Sequence, residues 1–175
     1  MKPIKGYNEA VASGGYTRLP AGGYIIKITS VTDQDDKQYL KVLFDIAEGP
    51  EKDRFKEEEY DSRHSFVRSY KEKALGMFKA FIKAVDATNG TDFDSRIEKG
   101  FPEQELVGKK LGVVIGYEEY ISDRGETKER MRIAKCCPDA DIRQGNFKVP
   151  ELKKLVDSPA PISGFSAIPD GDLPF

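Results

Sequence analysis

Tryptophan is absent from the 175 residues, histidine occurs once, and the only two cysteines, Cys136 and Cys137, are adjacent. Neighbouring thiols fit neither a disulfide framework nor the spaced pairs of a zinc site, and they suit a reducing compartment. A lone histidine, His64, leaves a His-based catalytic triad only one way to be built, and no nucleophile-elbow motif accompanies it. There is no GxxxxGK(S/T) phosphate loop, and the GGY runs at Gly14 and Gly22 lack the lysine and the helix that a phosphate cradle needs. The PDAD run at Pro138 is too small an acidic cluster for a metal-dependent nuclease, which needs several carboxylates and a lysine at one point. Long apolar runs are missing as well: stretches such as LGVVIGY, Leu111 to Tyr117, fall far short of the roughly 20 residues a membrane-spanning helix requires. The N-terminal MKPIKGYNEAVASGGY has no apolar leader core. The expectation is a cytoplasmic protein that is not an enzyme, with no cofactor, no metal and no membrane partner.

Nor is there a surplus of positive charge. The formal net charge is −2 and the pI about 5.6, which argues at first against a polyanionic partner. Distribution softens the objection. From Ser158 onward the only charged side chains are Asp170 and Asp172, so what precedes them is balanced between 28 basic residues and an equal number of acidic ones. Any anion-binding surface must then be a local stripe of Lys and Arg, with modest affinity and marked salt dependence.

What is present is the composition of a globular chain, 38% hydrophobic and 33% charged, long enough for one core with appendages. Residues 1–22 mix Gly, Ser, Pro and Tyr without periodicity and read as an N-terminal arm, whose Tyr7, Tyr16 and Arg18 either clamp a bound strand or tuck across the barrel, core packing being the safer reading. YIIKITSVT is β-branched, and QYLKVLFDIA alternates with Leu40, Val42, Phe44 and Ile46 on one face, so the two make a hairpin. Its other face carries Lys27, Thr29, Tyr39, Lys41 and Leu43. GPEKDRFKEEEYD is a charged loop, read as solvated surface or a lid, before a short third strand in SRHSFVRSY.

Ala74, Leu75, Phe78, Phe81, Ile82 and Val85 recur at helical spacing, and Asn89-Gly90 is a stop signal. KKLGVVIGYEEYI and TKERMRIAKCC are two further strands around a tight turn at Gly125. Three strands, one helix and two strands predict a mainly β domain over 23–157, a five-stranded OB-type Greek-key barrel with its helix between strands three and four. VPELKKLVD predicts a short C-terminal helix with Pro150 in its first turn, and 158–175 is a Pro, Gly and Ser-rich flexible tail.

Strand alternation sets Lys128, Arg130 and Arg132 on one face of the last strand, a stripe spaced for successive phosphates, with Glu129 opposite and unexplained. Lys27, Tyr39 and Lys41 form a second group, and Arg63, Arg68, Tyr70, Tyr117 and Tyr120 are further candidates. Cations for a backbone and π-faces for bases are what sequence-tolerant binding of unpaired nucleic acid requires. The tail ends DGDLPF, where Asp170 and Asp172 precede Leu173, Pro174 and Phe175; a terminal aromatic ring and carboxylate suit a small apolar pocket with a basic rim.

That tip resembles the acidic C-terminal tip of bacterial single-stranded DNA-binding proteins, and is similar in kind to the acidic, Phe-ended tail of the T7-type phage counterpart. The runs YTRLPAGGYIIKITSV, YLKVLFDIAEGP and IRQGNFKVPELKKL resemble a family of small bacteriophage replication-module proteins regarded as OB-fold single-stranded DNA binders. The resemblance spans roughly residues 16–157 and contains no catalytic fingerprint. It implies single-stranded DNA as partner, replication or recombination proteins (polymerase, helicase, recombinase or nuclease) docked on the tip, a possible homo-oligomer, and the cytoplasm of a phage-infected host. The chain departs from the bacterial proteins in having no tryptophan to stack on bases, and its tail is less acidic than the T7-type one. Annealing or recombination mediation shares these features, and a protein-interaction adaptor is the competing class.

Overall fold

Alternation of apolar residues drives the architecture seen in the computed structural model, which describes residues 2–3, 5–7 and 17–155. Strands β1 (Gly22–Gln34), β2 (Tyr39–Ile46), β3 (Ser65–Ser69), β4 (Lys110–Ile121) and β5 (Thr127–Cys137) form one antiparallel sheet in the order β3-β2-β1-β4-β5. Helix α1 (Leu75–Asn89) lies between β3 and β4 in the chain, as expected, and two shorter helices, α2 (Phe93–Arg96) and α3 (Asp139–Arg143), follow.

In β2 the period of two is kept throughout: Leu40, Val42, Phe44 and Ile46 are buried and the residues between them are not. In β1 it breaks. The register with β2 shifts between Ile28 and Ser30, so an extra residue lets both Ile28 and Val31 reach the core. Helix α1 lays Phe78, Phe81, Ile82, Ala84 and Val85 on the sheet and ends at Gly90, whose φ of 65° is the left-handed conformation glycine accepts at least cost. Asn89 ties that end to β4, donating to Lys110 O and accepting from Lys110 N at 2.7 and 3.1 Å.

One expectation is met at the coarser level, a mainly β domain of five strands, and one is corrected. The sheet is open: β3 and β5 are its edges, and no ladder joins them among the described residues. β3 is only five residues long, and what links it to β5 is a side chain, the Arg68 guanidinium 3.1 Å from Cys136 Sγ. The C-terminal helix is absent from its described part, and the short helix is α3 instead. β1 pairs with β4 only as far as Gly22 opposite Ile115, leaving the next backbone groups of β4 unmatched. Lys153 takes that place as a parallel bridge, its N–H donating to Tyr117 O at 3.0 Å and its carbonyl accepting from Glu119 N at 2.9 Å.

The segment 138–155 thus forms a strap over the sheet face opposite α1. Ile25, Val114 and Cys137 are buried there, apart from the main core. Three glycines receive the strap: a Cβ on Gly23 would lie 2.5 Å from the Phe147 ring, one on Gly112 2.7 Å from Ile142, and one on Gly116 2.6 Å from Pro150.

The charged loop after β2 is anchored by Phe55, which is buried and meets Phe44 edge to face at 5.8 Å, while its N–H donates to Asp45 at 2.9 Å. Leu19, within the stretch expected as an arm, is 1% exposed and belongs to the core. No helix among the described residues is long and apolar enough to cross a membrane. The tail tip lies outside the described residues, as does Tyr16.

Candidate functional site

A cavity of about 420 Å³ opens where the residues leading into β1, the turn before β3 and the distal half of the β4–β5 hairpin meet. Arg18, Arg63, Tyr117, Tyr120, Glu129 and Arg130 contribute its polar and aromatic lining, with Leu19, Ser62 and Met131 between them. The three arginines of this lining each lie over a tyrosine ring: Arg18 over Tyr117 at 4.0 Å, Arg130 over Tyr120 at 5.2 Å, and Arg63 over Tyr60, itself outside the lining, at 4.7 Å. The Tyr117 hydroxyl donates to Leu19 O, which fixes the ring and with it the residues entering β1.

Each arginine also holds a carboxylate. Arg18 pairs with Glu129, Arg63 with Glu58 at 3.0 Å, and Arg130 with Glu118 at 2.9 Å. The Tyr60 N–H, 3.0 Å away, and then Arg63 hold the Glu58 carboxyl below the usual carboxylate range. The alternation puzzle at Glu129 resolves. It stands opposite Glu119 and in line with Met131, whose partner is Tyr117, so it faces the cavity and Arg18.

Of the residues singled out in the sequence, Arg63, Tyr117, Tyr120 and Arg130 are therefore brought together. Lys128 and Arg132 share a face with Arg130, as alternation required, but do not line the cavity. Lys128 pairs with Glu126 at 3.4 Å. Arg132 is half-buried opposite Gly116, beneath which Pro150 packs, and its Nε has no hydrogen-bond partner among the described residues.

Lys27, Tyr39 and Lys41 lie on the β1–β2 hairpin away from this cavity, with Lys41 held by Asp61 at 2.8 Å. Arg68 points inward beside Phe66 and is buried. Tyr70 packs edge-on against Phe78 and donates to Asp33 at 2.9 Å; burial first, and then that bond, push its hydroxyl up to about 12. Asp170, Asp172, Leu173, Pro174 and Phe175 lie outside the described residues.

Sequence reasoning missed Tyr60, hidden in an acidic loop with no periodicity, and for Arg18 preferred core packing in the arm over a strand clamp. Neither carries a local signal, because their roles depend on chain entering from distant positions.

The described residues hold no cluster of three or more His, Cys, Asp or Glu suited to a metal ion. Chemically, the cavity offers the ring of Tyr120, arginines held by stacking on tyrosines, and ion pairs whose carboxylates an incoming anion would replace.

A family model described as "Protein of unknown function (DUF669)" matches residues 6–137. The chain belongs to the DUF669 family. No curated protein matches the sequence. In this DUF669 protein the matched stretch contains all five strands and every residue lining the cavity, while the strap 138–155 falls beyond it.

Proposed function

We propose that this DUF669 protein binds single-stranded DNA without catalysis and with little sequence preference, seating unpaired bases on Tyr120 of the cavity and on the exposed Tyr60 beside it, and their phosphates on the cavity's arginines, while the buried Tyr117 serves only to orient Arg18. The observation that carries the reading is the set of three Arg–Tyr stacks around one depression. Every base has a π-face, so stacking tolerates any sequence, and a duplex keeps those faces covered by its own neighbours. The strand order supports an OB-type reading too: β3-β2-β1-β4-β5 with a helix between β3 and β4 is the order of that barrel with its β3 and β5 edges left apart.

The arginine pairs do not oppose this. Ion pairs at the surface are worth only about 0–1 kcal/mol, so exchange of a carboxylate for a phosphate costs little. The balanced charge of the chain makes the affinity modest and strongly dependent on salt.

The test is anisotropy of labelled oligothymidine and of a matched duplex across a salt series. Wild type binds the single strand at low ionic strength in preference to the duplex. Tyr120→Ala weakens binding by about 1–3 kcal/mol, the size of one base stack. Arg63→Ala weakens it and makes the salt slope shallower by about 0.7, one phosphate contact on a single strand. A protein indifferent to oligothymidine at low salt defeats the proposal.

The reading extends to phage DNA replication or recombination in the host cytoplasm on the strength of the sequence resemblance. There the acidic, apolar residues 170–175 recruit a polymerase, helicase, recombinase or nuclease bearing a basic-rimmed pocket. Their removal leaves DNA affinity equal or slightly raised and abolishes capture of that partner; retained capture refutes the recruitment.

A further inference from the structure

All three arginines of the cavity are paired, and in every pair the acid is the more buried member. Side-chain exposure is 12% for Glu58 against 34% for Arg63, 24% for Glu118 against 62% for Arg130, and 35% for Glu129 against 50% for Arg18. Elsewhere the order is mixed: Asp61, Glu51 and Glu126 are more exposed than their cationic partners. The acids that hold the cavity's arginines are thus the less exposed halves of their pairs; Glu129 lines the cavity itself, while Glu58 and Glu118 stand outside its lining and reach it through Arg63 and Arg130. Glu58 is anchored by the Tyr60 N–H, and Glu118 lies on β4 at the position the strap residue Lys153 bridges.

Resting on the DNA-binding reading above, we propose that Glu58, Glu118 and Glu129 are built-in stand-ins for phosphate, which restrict the site to chains of phosphates and reject single anions. A carboxylate accepts from a guanidinium in the same fork geometry as a phosphate does. An empty site therefore keeps each arginine aimed over its tyrosine. A mononucleotide that engages one arginine breaks one pair to form another and gains only its single stack. A strand that crosses several arginines gains several stacks within one molecule, because after the first contact the others are intramolecular. The acids lower affinity for every anion, and they lower it below a useful level only for the short ones.

Glutamine tests this, since its Oε1 still accepts from the arginine while the competing charge is gone. Glu58→Gln, Glu118→Gln and Glu129→Gln, singly and together, are titrated with oligothymidine and with thymidine monophosphate over a potassium chloride series. Glu105→Gln serves as the control: it removes the same charge from another arginine pair, Arg96–Glu105 at 2.8 Å, which does not line the cavity. Each cavity substitution tightens oligothymidine binding about threefold at low salt, the scale of one exposed ion pair. The triple variant gains about twentyfold or more, steepens the salt slope, and acquires measurable affinity for the monophosphate, which wild type lacks.

Wild type that binds oligothymidine alongside a triple variant no tighter than Glu105→Gln, or weaker than wild type, overturns the inference and leaves the DNA-binding reading standing. Wild type that binds no oligothymidine removes both. Thermal melts monitor folding, and the single Glu129→Gln, on an exposed part of the hairpin, decides the point if the triple variant fails to fold.

Discussion

Arg68 is a cation placed where a cation is costly. The residue is 7% exposed, and its side chain reaches Val67 O and Cys136 Sγ, each at 3.1 Å, with its guanidinium 4.8 Å from the Phe66 centroid, while Nε is buried without a partner among the described residues. Burial pushes the Cys136 thiol up, so the sulfur is a neutral acceptor and supplies no counter-charge. Replacement by methionine keeps an unbranched stem of similar length. It forfeits two hydrogen bonds and a cation–π contact, together about 2–4 kcal/mol. It removes an orphaned donor worth about 1–3 kcal/mol and an ion whose desolvation costs several more. The balance predicts that Arg68→Met raises unfolding free energy by about 1–2 kcal/mol, or a few degrees in melting temperature. Arg68→Ala, which leaves a void as well, falls below Arg68→Met by about 2–3 kcal/mol. Urea denaturation followed by far-UV circular dichroism measures both, since the chain has no tryptophan to report by fluorescence. Because the guanidinium is buried, oligothymidine affinity is unchanged in Arg68→Met. A loss of more than 1 kcal/mol on substitution to methionine would refute the reasoning, by showing that the charge is compensated better than its contacts indicate.

Leu19→Ala costs about 2–5 kcal/mol in the same urea assay, as a fully buried leucine does, although the residue precedes the first strand; a loss under 1 kcal/mol contradicts its place in the core. Tyr70, at about 12 when folded, titrates near 10 once unfolded. The unfolded chain therefore releases this proton first, stability falls as pH rises from about 10 toward 12, and Tyr70→Phe flattens that loss; identical alkaline profiles for the two proteins dismiss the assignment. Lys128→Glu leaves stability within about 0.5 kcal/mol, as an exposed substitution does, whereas Arg132→Glu, half-buried opposite Gly116, destabilises; equal melting temperatures for the two would show that the strap does not cover Arg132.

The strands and α1 were legible because each displays its own period over many residues. Leu40, Val42, Phe44 and Ile46 alternate without a fault, and Phe78, Phe81, Ile82 and Val85 return at helical intervals. The bulge after Ile28 left no trace, since Thr29 and Ser30 are ordinary strand residues. Pro150 was misleading for a physical reason: its fixed φ suits a first helical turn and equally an extended segment, and the unmatched β4 backbone beyond Ile115 decides between them. In the cavity, alternation placed Arg130 and Glu129 on opposite faces of β5, yet nothing local announced that Arg18 and Arg63 converge on them. Such meetings depend on long-range closure and leave no pattern in neighbouring positions.

The family match stops at residue 137, but the sheet is not finished there. Gly23, Gly112 and Gly116 are hollows moulded to Phe147, Ile142 and Pro150, so a domain trimmed to the matched length would bare a greasy, indented face and an unprotected stretch of strand. Whoever isolates this domain, or engineers a relative, must carry the polypeptide on to residue 155 or expect it to cluster.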